Sequence, residues 1–265
     1  MASVTRRSVL GAALGAGAVA LLAGCGDDDV LWRSGRLRTS HWPGHRAQWR
    51  LALPKASKTA PPLVVVLHGR GGDADTAFDD LRLQDHVKRT GLAVASVDGG
   101  DLYWHERRSG ADPGAMVTDD LLPLLRHETG YAGPVAFLGW SMGGYGSLLL
   151  ASALGPRVVG AVVAESAALW TEPGASAPGA FDDREDFEAH DVFDVSRTRT
   201  LARIPVRLDC GDGDPFVAAN RAFARRLPSA HLRIDKGTHN TDYWRGHAAA
   251  QLDWVAASLR NVRDQ

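Results

Sequence analysis

The chain has 265 residues, of which 45% are hydrophobic and 23% charged, and its formal net charge is −1. That length suits one large α/β domain with a sizeable core. A charge so close to zero provides no global field for nucleic acid or an anionic surface, which argues against a polyanion-binding role.

Residues 5–24, TRRSVLGAALGAGAVALLAG, set the pair Arg6-Arg7 ahead of an uncharged stretch of Ala, Gly and Leu. A positive start followed by a short apolar region with small residues at its exit is the layout of an export signal. The arginine pair resembles a twin-arginine signal, and Leu22-Ala23-Gly24-Cys25 resembles the lipobox of bacterial lipoproteins. That resemblance implies removal of residues 1–24 and a lipid on Cys25, anchoring the protein at the outer face of a bacterial membrane. The alternatives are a plain transmembrane anchor, for which the stretch is barely long enough, or a simple secretory signal. Residues 25–45 are expected to be a spacer, with Asp27–Asp29 in solvent, and 46–265 the folded domain. With Cys25 lipidated, the other cysteine, Cys210, has no partner, and no intrachain disulfide is expected.

In the folded part, AQWRLAL (47–53) alternates as a first strand. After a proline-bearing link, LVVVLHG (63–69) reads as a strand buried on both faces. A helix is expected over 76–89, a strand over 92–97, and a helix over 115–128 with Pro123 as a kink or restart. Strand 134–139, helix 141–154 and strand 158–165 follow. Residues 166–203 break this rhythm with a long insertion, either a cap over a site or a decorated crossover. Strand 206–211, helix 216–227, strand 231–234 and helix 243–259 complete the chain. Such alternation implies right-handed β-α-β crossovers and a mostly parallel sheet with helices on both faces.

Gly139-Trp140-Ser141-Met142-Gly143 falls between a strand and a helix, which is where a G-x-S-x-G motif has meaning. A serine hydroxyl attacks an ester only with a base, a group that orients the base, and N–H donors for the developing oxyanion. The chain offers each in turn. Met142, the residue after Ser141, supplies one N–H. The loop His68-Gly69-Arg70-Gly71-Gly72 supplies a second, from Arg70 or else Gly71. The strand end Gly211-Asp212-Gly213-Asp214 supplies an acid, with Asp214 favoured over Asp212 and Asp209 read as structural. KGTHNTDYW (236–244) supplies His239 as base, with His231 and His247 as alternatives. The order Ser141, Asp214, His239 is that of the α/β-hydrolases.

On these motifs the chain resembles the esterase branch of the α/β-hydrolases that includes esterase D and the mycolyltransferases. GWSMGGYGSLLLA (139–151) and GTHNTDYW (237–244) carry the resemblance most specifically, and VDGGDLYW (97–104) resembles a loop lining the cleft. It implies an esterase or an acyltransferase with Ser141, Asp214 and His239 as triad and Met142 and Arg70 as oxyanion donors. Many relatives carry an apolar residue where Arg70 stands. The expected activity is cleavage of a small-molecule, lipid or sugar ester through an acyl-enzyme. The alternatives are acyl transfer to cell-envelope acceptors, or a silent surface lipoprotein that only binds. His68, Trp104, His105 and Trp140 are candidates for the substrate wall, Arg107-Arg108 for an anionic group, and Glu165 for a substitute acid. No His or Cys spacing suggests a catalytic metal, and no phosphate or dinucleotide motif implies a cofactor.

Overall fold

Runs of β-branched and small apolar residues build the centre of the molecule. The computed structural model describes residues 30–57 and 59–263, so the signal-like segment, Asp27–Asp29 and Cys25 lie outside the described residues. Eight strands form one sheet: β1 (Val30–Arg38), β2 (Arg46–Pro54), β3 (Leu63–Leu67), β4 (Ala93–Val97), β5 (Val135–Trp140), β6 (Val159–Glu165), β7 (Val206–Gly211) and β8 (His231–Asp235). Their order across the sheet is β1-β2-β4-β3-β5-β6-β7-β8. β1 and β2 run antiparallel to each other, β2 runs antiparallel to β4, and every pair from β4 to β8 is parallel. Strands β3 to β7 are buried at every position, as strands covered on both faces must be.

Nine helices alternate with the strands among the described residues: α1 (Thr76–Asp79), α2 (Val87–Thr90), α3 (Pro113–Ala115), α4 (Leu122–Thr129), α5 (Met142–Leu154), α6 (Arg184–Ala189), α7 (Val195–Leu201), α8 (Val217–Arg226) and α9 (Thr241–Arg263). Leu125, Leu148, Leu201 and Phe223, from α4, α5, α7 and α8, cover one face of the sheet. Phe78, Val87, Leu252, Val255 and Leu259, from α1, α2 and α9, cover the other. This three-layer arrangement is the α/β-hydrolase architecture read from the sequence. No described helix is long and apolar enough to cross a membrane.

Three expectations need correction. Residues 30–38, assigned to a spacer, form β1 and pair with β2 from Val30↔Pro54 to Arg38↔Arg46. Only Leu37 of this edge strand is buried, so no apolar pattern marks it. The helix expected over 76–89 is broken in two, because Arg82 adopts a left-handed conformation (φ 57°) before a 3₁₀ turn at Leu83–His86. Over 113–129 the helix is continuous but passes through a π-helical stretch, Met116–Leu121, just before Pro123. Proline has no N–H for the carbonyl one turn back, and the widened turn accommodates that loss. The insertion between β6 and β7 holds α6, α7 and a 3₁₀ turn at Pro173–Ala175.

Candidate active site

β5 ends in Trp140, and the chain reverses at once into α5 through Ser141, whose φ of 53° and ψ of −120° are strained for any residue with a Cβ. The glycines of the motif follow from this reversal. A Cβ on Gly139 would stand 2.3 Å from the Gly143 carbonyl oxygen, and one on Gly143 would stand 1.8 Å from the Leu67 carbonyl oxygen. Only glycine lets β5, α5 and the end of β3 approach this closely. The Ser141 N–H donates to the Glu165 carbonyl (2.9 Å), and its own carbonyl accepts from Tyr145 (3.1 Å) and Ala168 (2.9 Å). The backbone of the serine is thus fixed from both neighbouring segments.

His239 follows β8 and reaches back over the end of β7 to Ser141. Its loop passes so close that a Cβ on Gly211 would lie 2.4 Å from the Gly237 carbonyl. The Gly213 N–H donates to the Gly237 carbonyl (2.9 Å), tying the two loops together. His239 Nε2 lies 2.9 Å from Ser141 Oγ, and Nδ1 lies 2.8 Å from Asp214 Oδ2. The Asp214 side chain is fully buried. Burial opposes its charge, but hydrogen bonds from His239 and from the Phe216 N–H (2.8 Å to Oδ1) prevail and hold the carboxyl below its ordinary range. A carboxylate beside an imidazole that faces a hydroxyl can orient the ring and stabilise it once it takes the proton.

The alternative residues have other partners. Asp212 turns away to accept from the Gly237 N–H (3.2 Å). Asp209 is held by Arg207 and Gln251 within the core. Glu165 faces α9, where His247 Nδ1 is 3.4 Å away, and burial first, then the charge of Asp209, pushes its carboxyl well above the ordinary range. His247 bonds Asp235 (3.1 Å), and His231 stands exposed in β8. Cys210 is buried and free, its thiol pushed up to about 12 by burial and then by Asp214.

The loop after β3 lies against the serine, since a Cβ on Gly69 would come within 3.4 Å of Ser141 Cβ. It closes as a turn from the Gly69 carbonyl to the Gly72 N–H (3.1 Å), with Gly71 at φ 78°. The Gly71 N–H donates to Asp101 Oδ1 (2.6 Å), which leaves the Arg70 N–H as the candidate donor of this turn. Met142 begins α5, where the first N–H groups of a helix have no intrahelical partner. The Arg70 side chain is half-exposed, lying 4.0 Å from Asp101 and beside the Tyr103 hydroxyl.

The four residues expected to line the substrate wall are all interior. His68, Trp104, His105 and Trp140 are 0%, 0%, 2% and 2% exposed. His68 joins two loops: Nδ1 donates to the Gly69 carbonyl (2.7 Å), and Nε2 accepts from the Gly99 N–H (3.0 Å). That pattern needs a neutral ring, and burial lowers its pKa accordingly. Trp104 fills the space left by Gly99 and Gly146, where any Cβ would come within 2.4 Å of its ring. Trp140 packs over Gly69 in the same way. Arg107 and Arg108 are bound by the insertion, Arg107 to Asp182 (2.8 Å) and the Gly179 carbonyl (3.0 Å), and Arg108 to Asp183. The arginine beside Asp182 pulls that carboxyl down to about 2.

The aromatic surface around the histidine comes instead from Phe216 (ring centroids 5.3 Å apart) and Trp244 (5.1 Å, edge-on), with Trp170 against Phe216 at 5.6 Å. Phe216 stands two residues after Asp214, and Trp244 closes the segment that carries His239. Adjacency to the motif residues was therefore the available signal.

Comparison with known proteins gives the family and the fold. A family model described as "Putative esterase" matches residues 40–255. No curated protein matches the sequence at a significant level. Among solved structures, an S-formylglutathione hydrolase from Agrobacterium tumefaciens superposes with a TM-score of 0.75 at 18% identity, covering 90% of this chain and 99% of that one. A ferulic acid esterase gives 0.74 at 18% identity, over 86% and 98% of the two chains. MPT51 of Mycobacterium tuberculosis gives 0.68 at 17% identity, over 85% and 97%. At such identities the superpositions speak to the fold.

Proposed function

The chain belongs to the esterase family of the α/β-hydrolases, and on that premise we propose that it cleaves a carboxylic ester through an acyl-enzyme on Ser141. The observation that carries this reading is the continuous relay from Ser141 Oγ through His239 (2.9 Å) to Asp214 (2.8 Å), built on a strained serine between β5 and α5. Ser141 Oγ attacks the ester carbonyl carbon while His239 Nε2 takes its proton. The N–H groups of Met142 and Arg70 hold the oxyanion, and Asp214 holds the ring through Nδ1. As the tetrahedral intermediate collapses, the alcohol leaves with the proton from His239, and Ser141 keeps the acyl group. Water, activated by the same imidazole, then releases the acid and restores the serine. Phe216, Trp244 and Trp170 offer apolar contact for the acyl or alkoxy part of a small ester.

The test is labelling with a fluorophosphonate probe, comparing the wild type with Ser141→Ala and His239→Ala. Labelling of the wild type alone is expected; equal labelling of Ser141→Ala overturns the assignment. An acyltransferase would use the same acyl-enzyme with another acceptor, so a panel of acyl esters with and without a sugar alcohol separates the two activities. We also propose that residues 1–24 direct export and that Cys25 carries a diacylglyceryl anchor. Mass spectrometry of membrane-extracted protein should find that group at a new N-terminus, and an uncleaved N-terminus would refute it.

A further inference from the structure

Behind the aromatic wall, the insertion and the loop after β4 bring three groups together that no sequence spacing reveals. Asp186 and His190 stand four residues apart on α6 and its C-cap, and His105 approaches from the other segment. One ligand atom from each lies within 4.8 Å of the other two, and this is the one such triple of His, Cys, Asp or Glu among the described residues. Asp186 Oδ1 is 3.5 Å from His105 Nδ1 and 2.8 Å from His190 Nδ1. The two imidazoles are stacked, with centroids 4.3 Å apart.

The hydrogen bonding of His105 is unbalanced. Its Nε2 faces the Ala180 carbonyl at 3.1 Å, and a carbonyl can only accept, so that nitrogen carries a proton. Nδ1 faces the Glu106 carbonyl at 3.0 Å and the Asp186 carboxylate, which are again acceptors. Both ring nitrogens thus face only oxygen acceptors, in a site where the residue is 2% exposed.

We propose that His105 Nδ1, Asp186 Oδ1 and His190 Nδ1 form a binding site for a divalent transition-metal ion of the zinc type. Two ligands about 2.1 Å from one ion, at tetrahedral or octahedral angles, lie roughly 3.0–3.4 Å apart; the two Asp186 separations, 2.8 and 3.5 Å, fall just either side of that range, and the third lies within 4.8 Å. Two imidazoles and a carboxylate suit zinc and its neighbours over calcium or magnesium. The outer contacts are those of a metal site as well. The second ring nitrogen of His105 donates to a backbone carbonyl, and the free oxygen of Asp186 accepts from the Asp182 N–H at 2.7 Å. Arg107, the nearby cation, is already neutralised by Asp182. The His190 side chain is 23% exposed, which gives an ion a way in.

The ion fastens the insertion to the loop after β4. Phe181 stacks on His105 (5.3 Å) and touches Trp170 (6.0 Å), which leads to Phe216 and His239. The role is therefore to hold the aromatic wall, with no part in the ester chemistry, and the site stands whether or not Ser141 is a nucleophile.

The test uses folded protein stripped with a chelator and titrated with Zn²⁺ in a calorimeter, with thermal unfolding measured in parallel. One ion per chain and a rise in Tm are expected for the wild type. His190→Gln and Asp186→Asn should each weaken uptake by about tenfold or more and remove the rise in Tm. His190 is partly exposed, so its variant should fold, and unchanged fluorophosphonate labelling would report that. Absence of stoichiometric uptake by the wild type, or uptake by both variants as tight as the wild type's, overturns the proposal.

Discussion

Replacing Ser141 by glycine should stabilise the protein relative to replacing it by alanine. Both substitutions remove the hydroxyl and its contact with His239, so that loss cancels in the comparison. What remains is the backbone at φ 53° and ψ −120°, which alanine must hold against its Cβ and glycine adopts freely. Strain of this kind costs roughly 1–3 kcal/mol. At an ordinary position glycine is less stable than alanine by roughly 0.5–1 kcal/mol, because its unfolded chain is freer. Taking the middle of each range, about 2 less about 0.75, leaves Ser141→Gly ahead by about 1 kcal/mol, or a Tm higher by a few degrees for a chain of this size. Urea and thermal unfolding of the two variants would measure it, both being inactive towards fluorophosphonate. A Ser141→Gly variant no more stable than Ser141→Ala would refute the claim that the turn is strained.

Asp214→Asn should lower kcat on an activated ester by about 10⁴-fold, whereas Asp212→Asn, which holds only the Gly237 N–H, should change it by a few-fold at most. Gly143→Ala drives a Cβ to 1.8 Å from the Leu67 carbonyl and should cost about 3 kcal/mol in urea unfolding, with loss of labelling at Ser141. Burial, then the charge of Asp209, raises the Glu165 carboxyl well above its ordinary range. The folded state therefore binds more protons than the unfolded one above the ordinary carboxyl value of 4.5, and stability falls as pH rises through that window. Glu165→Gln, which keeps the neutral shape, should flatten this decline in pH-dependent unfolding; an unchanged slope would count against a raised carboxyl.

The parallel sheet and the three groups of the relay were legible because each follows from local chemistry. Apolar runs mark strands buried on both faces, and glycines flank the one serine whose turn excludes a Cβ. The misses arise where a contact distant in sequence decides. β1 buries only Leu37, and its partner β2, rather than its own pattern, makes it a strand. Trp104 and Trp140 look like cleft residues beside their motifs, yet the glycines they pack over draw them inside. Arg107 reads as a free cation until the insertion, some seventy residues on, places Asp182 against it. His105 meets Asp186 and His190 of α6 only through the fold, since some eighty residues separate the loop after β4 from that helix.

The sheet order has a consequence for reach. Neighbouring strands lie about 4.8 Å apart, so β8 is three intervals, or roughly 14 Å, from the strand that presents Ser141. His239 spans that gap because its loop rests on Gly211 like a beam on a pier, with the two backbones too near for any side chain between them. A residue that never meets a substrate therefore sets the length of the beam. Any side chain at Gly211 would lift the imidazole away from the serine, and turnover would report on a position that no map of the cleft would include.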